Sequence, residues 1–224
     1  MQASPANEGT TDPAPGAHTV DLNSVVSIQA IPFTSYGFKD WSNNVTDPNN
    51  APTTVVMDQA KTVTANFAPL IQVTVQTSPA GRSFSVDGTP YSAAQIFSWG
   101  AGSVHTIATT SPHLVSTGVR YKWIQWSDGG AISHTVAPTT NIIYTAKFKK
   151  QYYLTMKAGT GGTVSPKSGW KNSGATISIS ATPATFYHFT GWTGSGTGSY
   201  SGPNNPASIT MGSPITETAS FASN

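Results

Sequence analysis

The chain contains no cysteine, which excludes a disulfide framework, a zinc–thiolate site and a thiol nucleophile. Charge is scarce as well: Asp, Glu, Lys and Arg together make up 9% of the 224 residues. Long surface helices need those residues on their exposed faces, and no window of a dozen residues sustains a 3.6-residue apolar period. No apolar run approaches the roughly 20 residues of a membrane-spanning helix. The opening stretch is polar and rich in Pro, Ala, Gly and Thr, with no hydrophobic signal region. Met1 reads as an introduced start within a longer chain, and residues 1–18 as a flexible linker.

What remains is turn chemistry and short apolar alternation. Gly (21) and Pro (16) are plentiful, and Ser and Thr crowd every segment, a mixture that suits short strands joined by turns. An all-β chain is expected. One pattern occurs three times: an apolar strand, a proline, an aromatic pair, a tryptophan, a polar loop, then a strand closing on Ala-x-Phe. The first copy runs through Ile28, Ala30, Pro32, Tyr36, Phe38 and Trp41 to Ala65-Asn66-Phe67. The second runs through Ile107, Pro112, Tyr121, Trp123 and Trp126 to Ala146-Lys147-Phe148, and the third through Ile179, Pro183, Tyr187, Phe189 and Trp192 to Ala219-Ser220-Phe221. Self-similarity on this scale marks tandem modules. The expected organisation is therefore three small antiparallel β modules end to end, at 19–68, 70–149 and 152–222, joined by short linkers at Ala68-Pro69-Leu70 and Lys149-Lys150-Gln151. The first module is expected to be truncated, because nothing in it matches the opening strands Ile71–Val75 and Tyr153–Met156 of its successors.

The loop between tryptophan and closing phenylalanine varies in length between copies while both aromatics persist. Trp41, Phe67, Trp126, Phe148, Trp192 and Phe221 are thus expected to be core anchors. Trp99, Trp170 and Tyr200 differ between copies and stand near turns, which makes them the candidates for stacking on a sugar ring. Asp87-Gly88 lies between two strand-like runs and reads as a hairpin turn requiring positive φ.

These residues also carry a resemblance. Gly191-Trp192 with Pro183 and Tyr187-His188-Phe189 before it, and Trp126-Ser127-Asp128-Gly129-Gly130 with Tyr144-Thr145-Ala146-Lys147-Phe148, resemble the divergent InlB B-repeat family. Asp40 departs from the pattern, standing where the third copy has Gly191. The resemblance implies β-rich spacer or adhesive modules of bacterial surface or secreted proteins, and brings no catalytic residues.

From residue 129 onward the only carboxylate is Glu217, so a glycosidase pair is not expected there. Asp87 and Asp128 fall in turns, where Asp is chosen for backbone hydrogen bonding. The five histidines show no metal-ligand spacing, and His105 and His188 read as solvent-facing strand residues. No enzyme activity, cofactor or metal is expected. Serine is so frequent that an isolated Ser-His-Asp arrangement stays open. Counting by twos puts Glu217 on an inward strand phase; either the strand end has already reached water there, or Glu217 pairs with a lysine such as Lys157, or it assists a Lys–Asn crosslink. Residues 1–69 hold two lysines against six carboxylates, and the rest nine cations against three. With only two arginines and no matching fold, nucleic acid is not an expected partner. A polysaccharide, an acidic cell-wall polymer, or another copy of the chain completing the truncated module by strand addition are the expected partners.

Overall fold

The computed structural model describes residues 1–224 and contains twenty strands and no helix. The chain folds into two compact units: Met1–Thr109 with Gln125–Lys147, and Thr110–Ile124 with Phe148–Asn224.

In the first unit, Gly9–Asp12, Val25–Pro32 and Pro52–Val56 form an antiparallel three-stranded sheet. A second layer holds Tyr36–Ser42 antiparallel to the start of Thr64–Ser78, with Gln2–Ser4 running parallel to Thr64–Asn66 on its other side. Alternation aims Ile28, Ala30 and Val55 from one layer at Trp41, Val63, Ala65 and Phe67 from the other. The expectation of a flexible linker over residues 1–18 is therefore corrected: that stretch supplies two strands of the first module. Low hydrophobicity concealed them, because Gly9 and Thr11 are buried by small size and hydrogen bonding rather than by apolar bulk. Nor is the module truncated in the sense expected, which removes the half-built sheet on which strand addition by a second copy rested.

The second unit repeats this scheme. Gly162–Ser165, Thr176–Pro183 and Ala207–Thr210 make an antiparallel sheet. Opposite it, Leu154–Ala158 runs parallel to Ile215–Ala219, and Ile215–Ser223 pairs antiparallel with Tyr187–Ser195. Leu154, Ile179, Ile209, Met211, Ile215 and Trp192 fill the space between. The register corresponds residue by residue: Gly9 faces Pro32 as Gly162 faces Pro183, and Phe38 faces Phe67 as Phe189 faces Phe221. A bulge follows the phenylalanine in both, between Phe38 and Asp40 and between Phe189 and Gly191. Both glycines are dictated by packing: a Cβ on Gly9 would lie 2.5 Å from the Phe67 ring, and one on Gly162 would strike the ring of Phe221 in the same way.

Between these stretches, Leu70–Val75 pairs antiparallel with Gln95–Gly100, and Val73–Ser78 runs parallel to Ile142–Lys147. Phe84–Val86, His105–Thr109 and Ser133–Val136 form the facing sheet. The sheets are thus mixed, because each closing strand lies parallel to the opening strand of its own module. Ala68-Pro69-Leu70 is no linker either. It sits inside the uninterrupted strand Thr64–Ser78, just as Lys149-Lys150-Gln151 sits inside Ile142–Ala158.

Trp41, Trp126 and Trp192 are buried, as are Phe67 and Phe148, while Phe221 is half-buried. The Trp41 indole N–H donates to the carbonyls of Asn50 and Ala51, and that of Trp126 to Ile132, so these two indoles clip the variable loops that follow them, while the Trp192 N–H has no partner.

Candidate functional site

The three aromatics expected to bind sugar fall in different units. Trp99 belongs to the first unit and is buried; Trp170 and Tyr200 belong to the second. Trp170 is half-buried between the Arg120 guanidinium, 4.3 Å above its ring, and an edge-to-face Tyr153. Tyr200 is half-buried too, and is tied down by its own bonds: its N–H donates to Glu217 Oε1 and its hydroxyl accepts from Asn204 N–H.

Trp99 nevertheless leads to the most organised polar cluster in the chain. The Asp87-Gly88 turn forms as expected, with φ of 48° and 80°. The turn brings Asp87 against the start of the His105–Thr109 strand. There Asp87 Oδ1 accepts from Thr106 N–H at 2.7 Å, and Oδ2 lies 2.7 Å from His105 Nδ1. The other ring nitrogen, Nε2, is 2.9 Å from Ser103 Oγ. The His105 ring stacks on Trp99 at 3.8 Å between centroids and 13° between planes, which fixes the imidazole's rotation. Ser103 is 5% exposed and sits in a tight turn, its N–H donating to Gly100 C=O. In the tautomer with its proton on Nδ1, the imidazole donates to Asp87 Oδ2 and its Nε2 accepts from the Ser103 hydroxyl. Asp87 makes the backbone bond expected of a turn residue, from Thr106 N–H, and also reaches His105, which is half-buried where a solvent-facing residue was expected. A sequence signal existed in Ser103-Val104-His105 downstream of an Asp-Gly turn, but its spacing has no diagnostic value without the sheet that joins the two.

All three residues line a cleft of about 840 Å³ within the first unit. Tyr36, Phe38 and Trp99 provide its aromatic part, and Asp47, Asn49 and Asn50 its polar rim. Asn49 N–H donates to Asp47 Oδ1, closing an Asx turn.

Two further polar groups hold structure rather than a ligand. His134 Nε2 lies 2.9 Å from Asp128 Oδ2, but its Nδ1 lies 2.7 Å from Ala131 O and its ring sits on Gly130, so it closes a loop. Among groups of His, Asp and Glu, no cluster of three is placed to hold a metal ion. Glu217 is fully buried, and burial pushes its carboxyl above the usual range. It forms no ion pair with Lys157, which is exposed; its one partner is Tyr200 N–H, and Oε2 has none. Neither the strand end in water nor the pair with Lys157 is found. Gly194 makes the room, since a Cβ there would lie 2.6 Å from Glu217 Oε1.

A family model, the divergent InlB B-repeat domain, matches residues 1–70 and 152–224. The chain belongs to this family. The match begins at residue 1, in keeping with the strands at Gln2–Ser4 and Gly9–Asp12. Residues 71–151 lie outside it, although their strands pair in the same scheme. No curated protein matches the chain.

Proposed function

We propose that this InlB B-repeat chain is a stiff spacer with an adhesive surface in a bacterial surface or secreted protein. The observation that carries the spacer role is the strand Thr64–Ser78, which closes one module and opens the next without leaving the sheet. Its midpoint is clasped by neighbouring backbone. Leu70 N–H donates to Ser35 C=O at 3.0 Å, and Ala101 N–H donates to Pro69 C=O at 2.9 Å. Gly37 and Gly100 let two chain segments touch here, since a Cβ on Gly37 would fall 2.6 Å from Gly100 N. A junction of this kind bends less than a peptide linker, whose φ and ψ rotate freely. Such a role needs no catalytic step. Limited proteolysis tests it: the folded chain resists cleavage at 68–70, and rapid cutting there would refute the stiff junction.

Charge favours an acidic wall polymer as the adhesive target. The second unit carries seven Lys and Arg residues and a single carboxyl side chain, Glu217, which is buried. Lys122 and Lys149 flank a groove there with Trp123, Ile124, Gln151 and Asn172. Uncompensated cations raise the local concentration of a polyanion, and salt screens the effect over about 10 Å at 0.1 M. Beads coated with a polyanionic wall polymer should retain the chain at low salt and release it at high salt. Retention should fall at least tenfold in Lys122→Gln/Lys149→Gln. No retention at low salt, or retention indifferent to salt, would remove the adhesive half of the proposal.

A further inference from the structure

We infer that Ser103 is an acyl-accepting nucleophile, activated by His105 and Asp87, and that the cleft above it takes short-chain carboxylic esters of a polar, hydroxylated alcohol. The inference goes beyond the spacer reading and does not depend on it.

A serine hydroxyl is a weak nucleophile unless a base takes its proton as it attacks, and that base must be held in the correct tautomer by a third group. The two contacts such a relay requires are present, at 2.9 Å from Ser103 Oγ to His105 Nε2 and 2.7 Å from His105 Nδ1 to Asp87 Oδ2. A simple turn clamp accounts for less of this. Pinning the Asp87 turn needs only the bond from Thr106 N–H to Oδ1, which leaves the second carboxylate oxygen, the stacked imidazole and the serine unexplained. The three elements that converge are a hairpin turn, a strand start and the turn before it, held by the buried Trp99 beneath the imidazole. Sites built on such supported elements keep their geometry better than sites on free loops. The cleft gives the alcohol part of a substrate a place: Asn49, Asn50 and Asp47 offer hydrogen bonds to hydroxyl groups, and Tyr36 offers an aromatic wall.

The step balances without a co-reactant other than water. Ser103 Oγ attacks the ester carbonyl carbon while its proton moves to His105 Nε2. The tetrahedral adduct expels the alcohol oxygen, which takes that proton from Nε2, leaving an acyl ester on Ser103. Water then attacks the acyl carbon, gives a proton to Nε2, and releases the carboxylic acid as Ser103 recovers its hydrogen. Asp87 holds the imidazole throughout.

The test uses the full chain and two probes, a fluorophosphonate and p-nitrophenyl acetate. Intact mass and peptide mapping should show one fluorophosphonate adduct, on Ser103, and acetate ester turnover that disappears in Ser103→Ala. General-base assistance contributes 10²- to 10⁴-fold, so labelling in His105→Gln should slow by at least about 100-fold with the fold retained by circular dichroism. The wild-type result decides on its own should that variant unfold. Absence of an adduct on wild-type Ser103, or an adduct that forms as fast in folded His105→Gln, overturns the inference. Neither outcome bears on the proteolysis and polymer-binding tests of the spacer.

Discussion

Glu217 gives the most quantitative handle on the second unit. Its carboxyl is fully buried on the Ile215–Ser223 strand, accepts one hydrogen bond from Tyr200 N–H, and leaves Oε2 unpaired. Burial raises its pKa above the ordinary value of 4.5, and the single backbone bond offsets this only in part. A raised folded-state pKa means that the native protein binds the proton more tightly than the unfolded chain does. Stability from this group is therefore complete below about pH 4.5 and is lost as pH rises through the folded-state value. Within that window the slope approaches about 1.4 kcal/mol per pH unit, and above it the loss is constant. Glu217→Gln keeps the shape and an acceptor for Tyr200 N–H but cannot ionise. Removing the cost of a buried, half-satisfied charge should make the variant more stable than wild type by about 1–3 kcal/mol at pH 7.5, and not at pH 4. The chain has only two glutamates, Glu8 and Glu217, so carboxyl-labelled glutamate yields two NMR signals to titrate. One of them should titrate above the usual carboxylate range, and urea unfolding across pH 4–8 should show the crossover. A Glu217 midpoint at or below 4.5, or a Gln variant less stable than wild type at pH 7.5, would refute the reasoning.

Three further outcomes follow from packing. Gly9→Ala places a methyl group within 2.5 Å of the buried Phe67 ring, and overpacking of this kind costs about 1–3 kcal/mol in urea unfolding; an unchanged midpoint would show that residues 1–12 are not docked. Trp126→Ala empties a site of zero exposure and should lower stability by about 3–5 kcal/mol, against less than 1 kcal/mol for the exposed Ile124→Ala. Gly100→Ala would set a Cβ 2.8 Å from Phe38 O, so hydrogen exchange at Leu70 and Ala101 should accelerate if the backbones part as the packing requires.

The all-β class and the interior role of the recurring indoles are legible in the sequence, because alternation and a fixed tryptophan-to-phenylalanine frame depend only on local spacing. Phe38, Trp41 and Phe67 nest as Phe189, Trp192 and Phe221 do, and the sequence carries both sets in one order. Counting in twos puts Glu217 inward, where it is, but its partner depends on what crosses it, and that is the Gly194–Tyr200 loop rather than a lysine. Strands rich in Gly and Thr, as at residues 9–12 and 162–165, carry little apolar signal; only the ring above Gly9 or Gly162 shows why a side chain is forbidden there. Proline at position 69 suggests a break, yet it lies at an exposed place where the missing N–H harms no ladder bond. Trp99 is hidden from such reasoning because nearness to a turn says nothing about which face the indole takes, and here it supports the His105 imidazole from below. In the Ser103–His105–Asp87 cluster the first two are near neighbours in sequence, and only strand register brings Asp87 to them.

The shared strand Thr64–Ser78 also bears on how the chain acquires its form. When Phe67 docks, the residues that follow it are already extended and aligned, so the next module inherits a template rather than having to nucleate one. Closing the following sheet then begins from a strand already fixed, and the ordering cost of its first element has been met upstream. In a chain emerging from synthesis amino end first, the second module should therefore form on a strand that the first has already fixed.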